Sequence, residues 1–311
     1  MAIHEEFFFK STNGETDIHV NKWVPENGEI KGVLQIVHGV AEYGFRYNSF
    51  ASFMCDKGFA VVADDHLGHG KSIIKDCPKL YFGEKDGWFT VVSDLEKLRS
   101  LTQEEFKGLP YFVFGHSMGS FLVRSLLIKY PKTVTGAIIC GTGHMGKMTV
   151  IGGKAVAKHY IKKLGKKGFS KIADDLAFGA YNKKFAPNRT ASDWVSLSEK
   201  NVDAYLSDPL CGGETSLGLF SDLLTGMEFI TNQKNINKMD KSLPVLFISG
   251  EKDPVGDMGK GVKKAAQCFK KAGLKDVSVK LYPRLRHEIL NEECGESIME
   301  DVWKWIKKKN S

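Results

Sequence analysis

The chain has no Cys-x-x-Cys pair; its six cysteines, Cys55, Cys77, Cys140, Cys211, Cys268 and Cys294, are scattered. That spacing argues against a disulfide frame or a thiolate metal site and fits reduced thiols in a cytosolic protein. The opening Met-Ala-Ile-His-Glu-Glu has neither the basic start nor the apolar stretch of a signal peptide, so secretion is not expected. No apolar run approaches the ~20 residues of a membrane-spanning helix. The glycine-rich stretch Asp65-His66-Leu67-Gly68-His69-Gly70-Lys71-Ser72 lacks the Gly-x-x-x-x-Gly-Lys-Ser/Thr spacing that cradles phosphate. His66 and His69 have no third ligand near them in sequence and read as hydrogen-bonded loop histidines. A net charge of +7 comes with no recognised nucleic-acid module. No cofactor, metal or nucleic acid is therefore expected.

What is present suits a large core. At 311 residues, 42% hydrophobic and 26% charged, the chain fits one α/β domain with an insertion, or two ordinary domains. Its most informative stretch is Phe112-Val113-Phe114-Gly115-His116-Ser117-Met118-Gly119-Ser120. A short apolar run, Gly-x-Ser-x-Gly and a helical pattern follow one another, the strand–elbow–helix setting of a nucleophilic serine. Gly115 and Gly119 leave room for the neighbouring strand and helix at a turn that strains the serine backbone. The helix that starts here offers the free Met118 N–H and a positive dipole end to a developing oxyanion.

Around that elbow, apolar runs and helical patterns alternate. Residues 6–10 and 17–24 form a hairpin across Asn13-Gly14. Gly32 to His38 and Phe59 to Asp64 read as strands buried on both faces, with an amphipathic helix over 46–57 between them. The first runs into His38-Gly39-Val40, where a second oxyanion donor, the Val40 N–H, is expected. A helix over 89–106, the elbow strand, a helix over 119–129 and a strand over 134–140 complete the first half. This alternation predicts a mostly parallel, doubly wound sheet.

From 144 to 241 no convincing buried strand occurs, and the segment reads as a helical cap inserted between core segments 1–143 and 242–311. Residues 144–171 hold eight lysines and no acidic residue. Val156, Tyr160, Ile161 and Leu164 recur among them at helical spacing, giving a basic amphipathic helix. Two roles fit it, a solvated face or peripheral contact with an anionic membrane.

The sheet resumes at 244–250, followed by Glu251-Lys252-Asp253-Pro254. Asp253 is the best-placed acid on this turn; Glu251 and Asp257 are the alternatives. After a strand over 277–282 comes His287, the last of nine histidines and the one that follows the acid. A helix over 298–307 closes the chain. Ser117, Asp253 and His287 stand in the nucleophile–acid–histidine order of α/β-hydrolases, each after a strand. Strand C-termini of a parallel sheet meet at one edge, so three distant residues can share a site there.

His38-Gly39…Glu42…Arg46-Tyr47, Asp65 to Ser72, Gly115 to Gly119, and Val202-Asp203-Ala204-Tyr205…Ser207-Asp208-Pro209-Leu210 together resemble the monoacylglycerol lipase/lysophospholipase group of α/β-hydrolases, a serine aminopeptidase S33-like group. Asp253-Pro254-Val255-Gly256 and His287 to Glu292 resemble its bacterial members. The resemblance spans nearly the whole chain. It implies a cytoplasmic or peripherally membrane-associated serine hydrolase of single-acyl esters, with the cap forming an apolar tunnel. Leu290 stands where mammalian monoacylglycerol lipase has a second histidine, and Ser120 replaces a common glycine. An aminopeptidase or amidase on the same fold would need carboxylates to grip an amine, for which the cap offers Glu199, Asp203, Asp208 and Glu214. A short-chain carboxylesterase is a further alternative, and a non-catalytic ligand receptor is disfavoured by the intact triad. Serine at 117 excludes an aspartate-nucleophile dehalogenase or epoxide hydrolase. The sequence sets no oligomeric state.

Overall fold

A computed structural model describes residues 2–310. Eight strands make one sheet in the order β1-β2-β4-β3-β5-β6-β7-β8. They are β1 (Ala2–Lys10), β2 (Asp17–Pro25), β3 (Gly32–Val37), β4 (Phe59–Asp64), β5 (Tyr111–His116), β6 (Gly136–Cys140), β7 (Val245–Gly250) and β8 (Val277–Tyr282). The β1–β2 hairpin joins β4 antiparallel, and every later pairing is parallel. The opening strand starts at Ala2, four residues before the alternation becomes visible in the sequence. The sixth begins at Gly136 rather than 134, where a Cβ would crowd the Phe112 ring.

Both faces of strands β3 to β7 are covered, which is why they read as nearly unbroken apolar runs, whereas β8 at the sheet edge is largely exposed. Leu34, Ile36, Phe112, Phe114, Ile138 and Ile248 point to one side, against α1 (Asn48–Asp56) and the C-terminal helix. Val33, Val113, Ala137, Ile139, Val245 and Phe247 point to the other. There they meet α2 (Gly87–Glu105) and α3 (Met118–Lys129). Successive Cβ atoms alternate across a strand, so each run feeds two separate cores.

Between β6 and β7 come α4 (Lys147–Leu164), α5 (Lys171–Ala177), α6 (Glu199–Ser207), α7 (Leu217–Thr231) and α8 (Gln233–Ile236). The last two helices are α9 (Lys260–Lys271) and α10 (Gly295–Lys309). Helix α7 adds Leu219, Met227 and Ile230 to the core shared with α2 and α3. It lies so close to α2 that a Cβ on Gly226 would sit 2.2 Å from the Trp88 ring. The inner face of α4 packs on α7 through Ala157, Tyr160 and Ile161, with Gly153 against Leu224. Met148, Ile151 and Leu164 of α4 and Ile172 and Leu176 of α5 are exposed. Leu164, an apolar member of the basic pattern, thus faces out while Tyr160 and Ile161 face in. No helix among the described residues is long and apolar enough to cross a membrane. All six cysteines are free thiols.

Candidate active site

Ser117 sits between β5 and α3 with φ +53° and ψ −121°, a strained conformation for a residue bearing a side chain. The two glycines that flank it have direct steric causes. A Cβ at Gly115 would lie 2.5 Å from the Gly119 carbonyl, and one at Gly119 would lie 2.0 Å from the Val37 carbonyl. The elbow therefore needs both positions bare. Met118, first residue of α3, has an N–H with no intrahelical acceptor.

His287 follows β8 and Asp253 follows β7. His287 Nδ1 lies 3.0 Å from Asp253 Oδ1, and both side chains are buried. The carboxylate also accepts from Ser249 Oγ at 3.1 Å and from the Val255 N–H at 2.9 Å. Glu251 and Asp257, the alternatives on the same turn, are exposed, and Asp257 pairs with Lys184 at 3.6 Å. Geometry brings Asp253 to His287 and leaves the other two outside.

The loop after β3 lies against the serine: a Cβ at Gly39 would be 3.1 Å from Ser117 Cβ. Gly39 N–H donates to Glu42 Oε1 at 2.6 Å. Behind that contact is a buried ionic network. Arg46 donates to Glu42 Oε2 at 2.8 Å and to both oxygens of Glu288 at 2.8 and 2.9 Å. Asn201 of α6 and Asn291 complete Glu288, and the Tyr47 hydroxyl donates to Glu42. Burial alone would favour the neutral acid, yet the His116 hydrogen bond and the charge of Arg46 pull the Glu42 pKa well below the usual carboxylate range. Burial opposes charge on His116, but Glu42 3.3 Å from its Nδ1 raises the pKa overall. Its Nε2 faces the His287 carbonyl, also at 3.3 Å.

Ser117, His287 and Val40 line one cavity of about 330 Å³. Its apolar walls come from the loop after β3 and from Phe178, Trp194, Val195 and Leu206. The Trp194 ring lies 5.0 Å from the His287 ring, and the Val195 carbonyl accepts the N–H groups of His287 and Glu288. Three carboxylates, Glu42, Asp174 and Glu288, reach the wall, and among the described residues no lysine or arginine does. Of the cap acids considered for gripping an amine, Asp203 pairs with Arg189, Asp208 accepts from the Tyr43 hydroxyl, and Glu199 and Glu214 are exposed. None of the four lines the cavity. Nothing in the sequence marks Asp174 or Trp194 for chemistry, since neither sits in a motif.

A family model described as "Serine aminopeptidase, S33" matches residues 28–294. A monoacylglycerol lipase from Mycolicibacterium smegmatis is 29% identical, covering 98% of each chain. Human monoglyceride lipase is 25% identical over 93% of this chain and 86% of its own. Among solved structures, a thermostable carboxyl esterase from Bacillus coagulans in complex with glycerol is 30% identical, with a TM-score of 0.92 and full coverage of both chains. With the family match spanning most of the elbow-bearing fold, the chain belongs to the serine aminopeptidase S33 family and is an α/β-hydrolase.

Proposed function

We propose that the chain is a serine carboxylic ester hydrolase of neutral single-acyl lipids, monoacylglycerols in chemical class, working through an acyl-enzyme on Ser117. The observation that carries this reading is one largely apolar cavity walled by Ser117, His287 and the Val40 loop, with Asp253 behind the histidine. The names of the relatives point the same way.

In this reading His287 accepts the Ser117 hydroxyl proton as Oγ attacks the ester carbonyl carbon. Asp253 holds the imidazole tautomer and stabilises the imidazolium. The N–H groups of Val40 and Met118 receive the oxyanion, each donor contributing roughly 3 kcal/mol. The intermediate collapses, the C–O bond to the alcohol breaks, and His287 returns the proton to that alcohol. Water, losing a proton to the same histidine, then attacks the acyl-serine and releases the fatty acid. Every step is carried by these side chains, the two N–H groups and water.

The cavity supports a neutral head group over a phosphate-bearing one, because no lysine or arginine is among its lining residues. Arg46 behind the wall is already paired with Glu42 and Glu288, and Asp174 adds a further carboxylate. Residues 144–241 act as a cap, with Trp194 and Val195 over the histidine and α7 as its base against the core. The lysines of 144–171, beside exposed Met148, Ile151, Leu164, Ile172 and Leu176, suit peripheral contact with an anionic membrane from the cytoplasm.

One panel tests substrate and surface together. Monoacylglycerol should exceed lysophospholipid and aminoacyl-naphthylamide in kcat/KM by at least about tenfold, roughly 1.4 kcal/mol of transition-state discrimination. Turnover should be faster in anionic than in neutral vesicles at low salt, the difference fading as salt rises. Preference for the lysolipid or the amide would overturn the substrate reading. Equal rates in both vesicles would leave the lysines a solvated face.

A further inference from the structure

An oxyanion donor on a loop needs its direction held by something other than a helix or a ladder. In the planar trans peptide joining Gly39 to Val40, the carbonyl and the N–H point opposite ways. Whatever fixes the Gly39 carbonyl therefore aims the Val40 N–H. His38 Nδ1 lies 2.7 Å from that carbonyl oxygen.

The far side of the ring decides which nitrogen carries the hydrogen. The His66 backbone N–H donates to His38 Nε2 at 2.9 Å, so Nε2 supplies the lone pair and Nδ1 bears the proton. Complete burial, with His66 and His69 alongside, holds the His38 pKa well below its ordinary value, so the ring stays neutral. His66 stacks on it with ring centroids 3.7 Å apart and planes 16° apart. Asp64 anchors His66 Nδ1 at 2.8 Å, and His66 Nε2 meets the His38 carbonyl at 3.1 Å. The preceding peptide is thus gripped at both ends, its carbonyl by His66 and its N–H by Glu42.

We propose that His38 is a positioning residue for the hydrolysis: its neutral Nδ1–H tautomer holds the Gly39 carbonyl and so aims the Val40 N–H at the oxyanion. The proposal rests on the reading of Ser117 as nucleophile and Val40 as donor. His38 itself touches no reacting atom. Its loss should lower kcat and leave KM nearly unchanged, because the aimed N–H matters most when charge develops.

The test compares His38→Asn with His38→Gln on a p-nitrophenyl ester. The asparagine amide nitrogen occupies the place of Nδ1 and can still donate to the Gly39 carbonyl; the glutamine amide reaches toward Nε2 and leaves that place empty. His38→Gln should lose roughly 10- to 100-fold in kcat at near-constant KM, and His38→Asn should recover most of it. Unchanged kcat in His38→Gln, a change confined to KM, or equal losses in both variants would overturn the proposal. A measurement on the unaltered enzyme serves if either variant fails to fold. Nitrogen-15 shifts of the His38 ring at pH 7 should report hydrogen on Nδ1 and a bare Nε2; the opposite tautomer or a doubly protonated ring would overturn it. Ser117→Ala run beside these separates the two readings. An inactive Ser117→Ala with an unimpaired His38→Gln defeats this proposal alone, while a fully active Ser117→Ala defeats the reading beneath it as well.

Discussion

Asp253 is placed by three donors, from His287, Ser249 and Val255, and its nearest rivals stand in solvent. An amide at this position keeps the size of the group and removes the charge that orients and stabilises the histidine. Asp253→Asn should therefore cut kcat by roughly 10⁴, as the same exchange does in serine proteases, while Glu251→Gln and Asp257→Asn stay within a few-fold of wild type. Steady-state kinetics on one ester would decide it, and a large loss in either rival with little in Asp253→Asn would contradict the assignment. Residues such as Ser117, Asp253 and His287 are legible in a sequence because each closely follows a strand. Gly115 and Gly119 are legible because their spacing reports a steric demand. The Arg46–Glu288 pair spans 242 positions, so no local pattern announces its link to the elbow. Asp174 is likewise visible only once α5 lies over the cavity.

Among the elements, the core strands are the easiest to anticipate, since burial on both faces leaves few polar interruptions. Helix α7 is harder to place: its apolar residues read as part of a helical insertion, yet they pack on α2 and α3. That docking buries Asp222, whose Oδ2 has no partner among the described residues. Burial, reinforced by Asp86, pushes its pKa up to about 7, while Lys166 and the Trp88 N–H pull the other way. A carboxylate whose folded pKa lies above its unfolded value near 3.8 favours the folded state only while protonated. Its contribution is full below about pH 4, declines as pH rises toward 7 and stays lost above. Asp222→Asn should thus be more stable than wild type at pH 8, by up to roughly 4 kcal/mol, with the gap closing near pH 4. Denaturant unfolding at both pH values measures this, and a gap that does not change with pH would contradict it.

For the whole molecule, the parallel sheet brings Ser117, Asp253 and His287 to one edge, and residues inserted after β6 wall the cavity that Ser117 and His287 line. The inserted segment meets that edge at the Val195 carbonyl, which accepts from His287 and Glu288, and at Asn201, which reaches Glu288. The inserted segment and His287 are consequently parts of one hydrogen-bonded unit. The proposed covalent acyl group on Ser117 can be trapped and weighed. The enzyme is mixed with a monoacylglycerol or a slowly deacylating p-nitrophenyl ester, quenched in acid within milliseconds, digested and weighed by mass spectrometry. The acyl mass should appear on the peptide containing Ser117, formed before product accumulates and absent in Ser117→Ala. Turnover at the wild-type rate in Ser117→Ala, or the acyl group found on another residue, would contradict it.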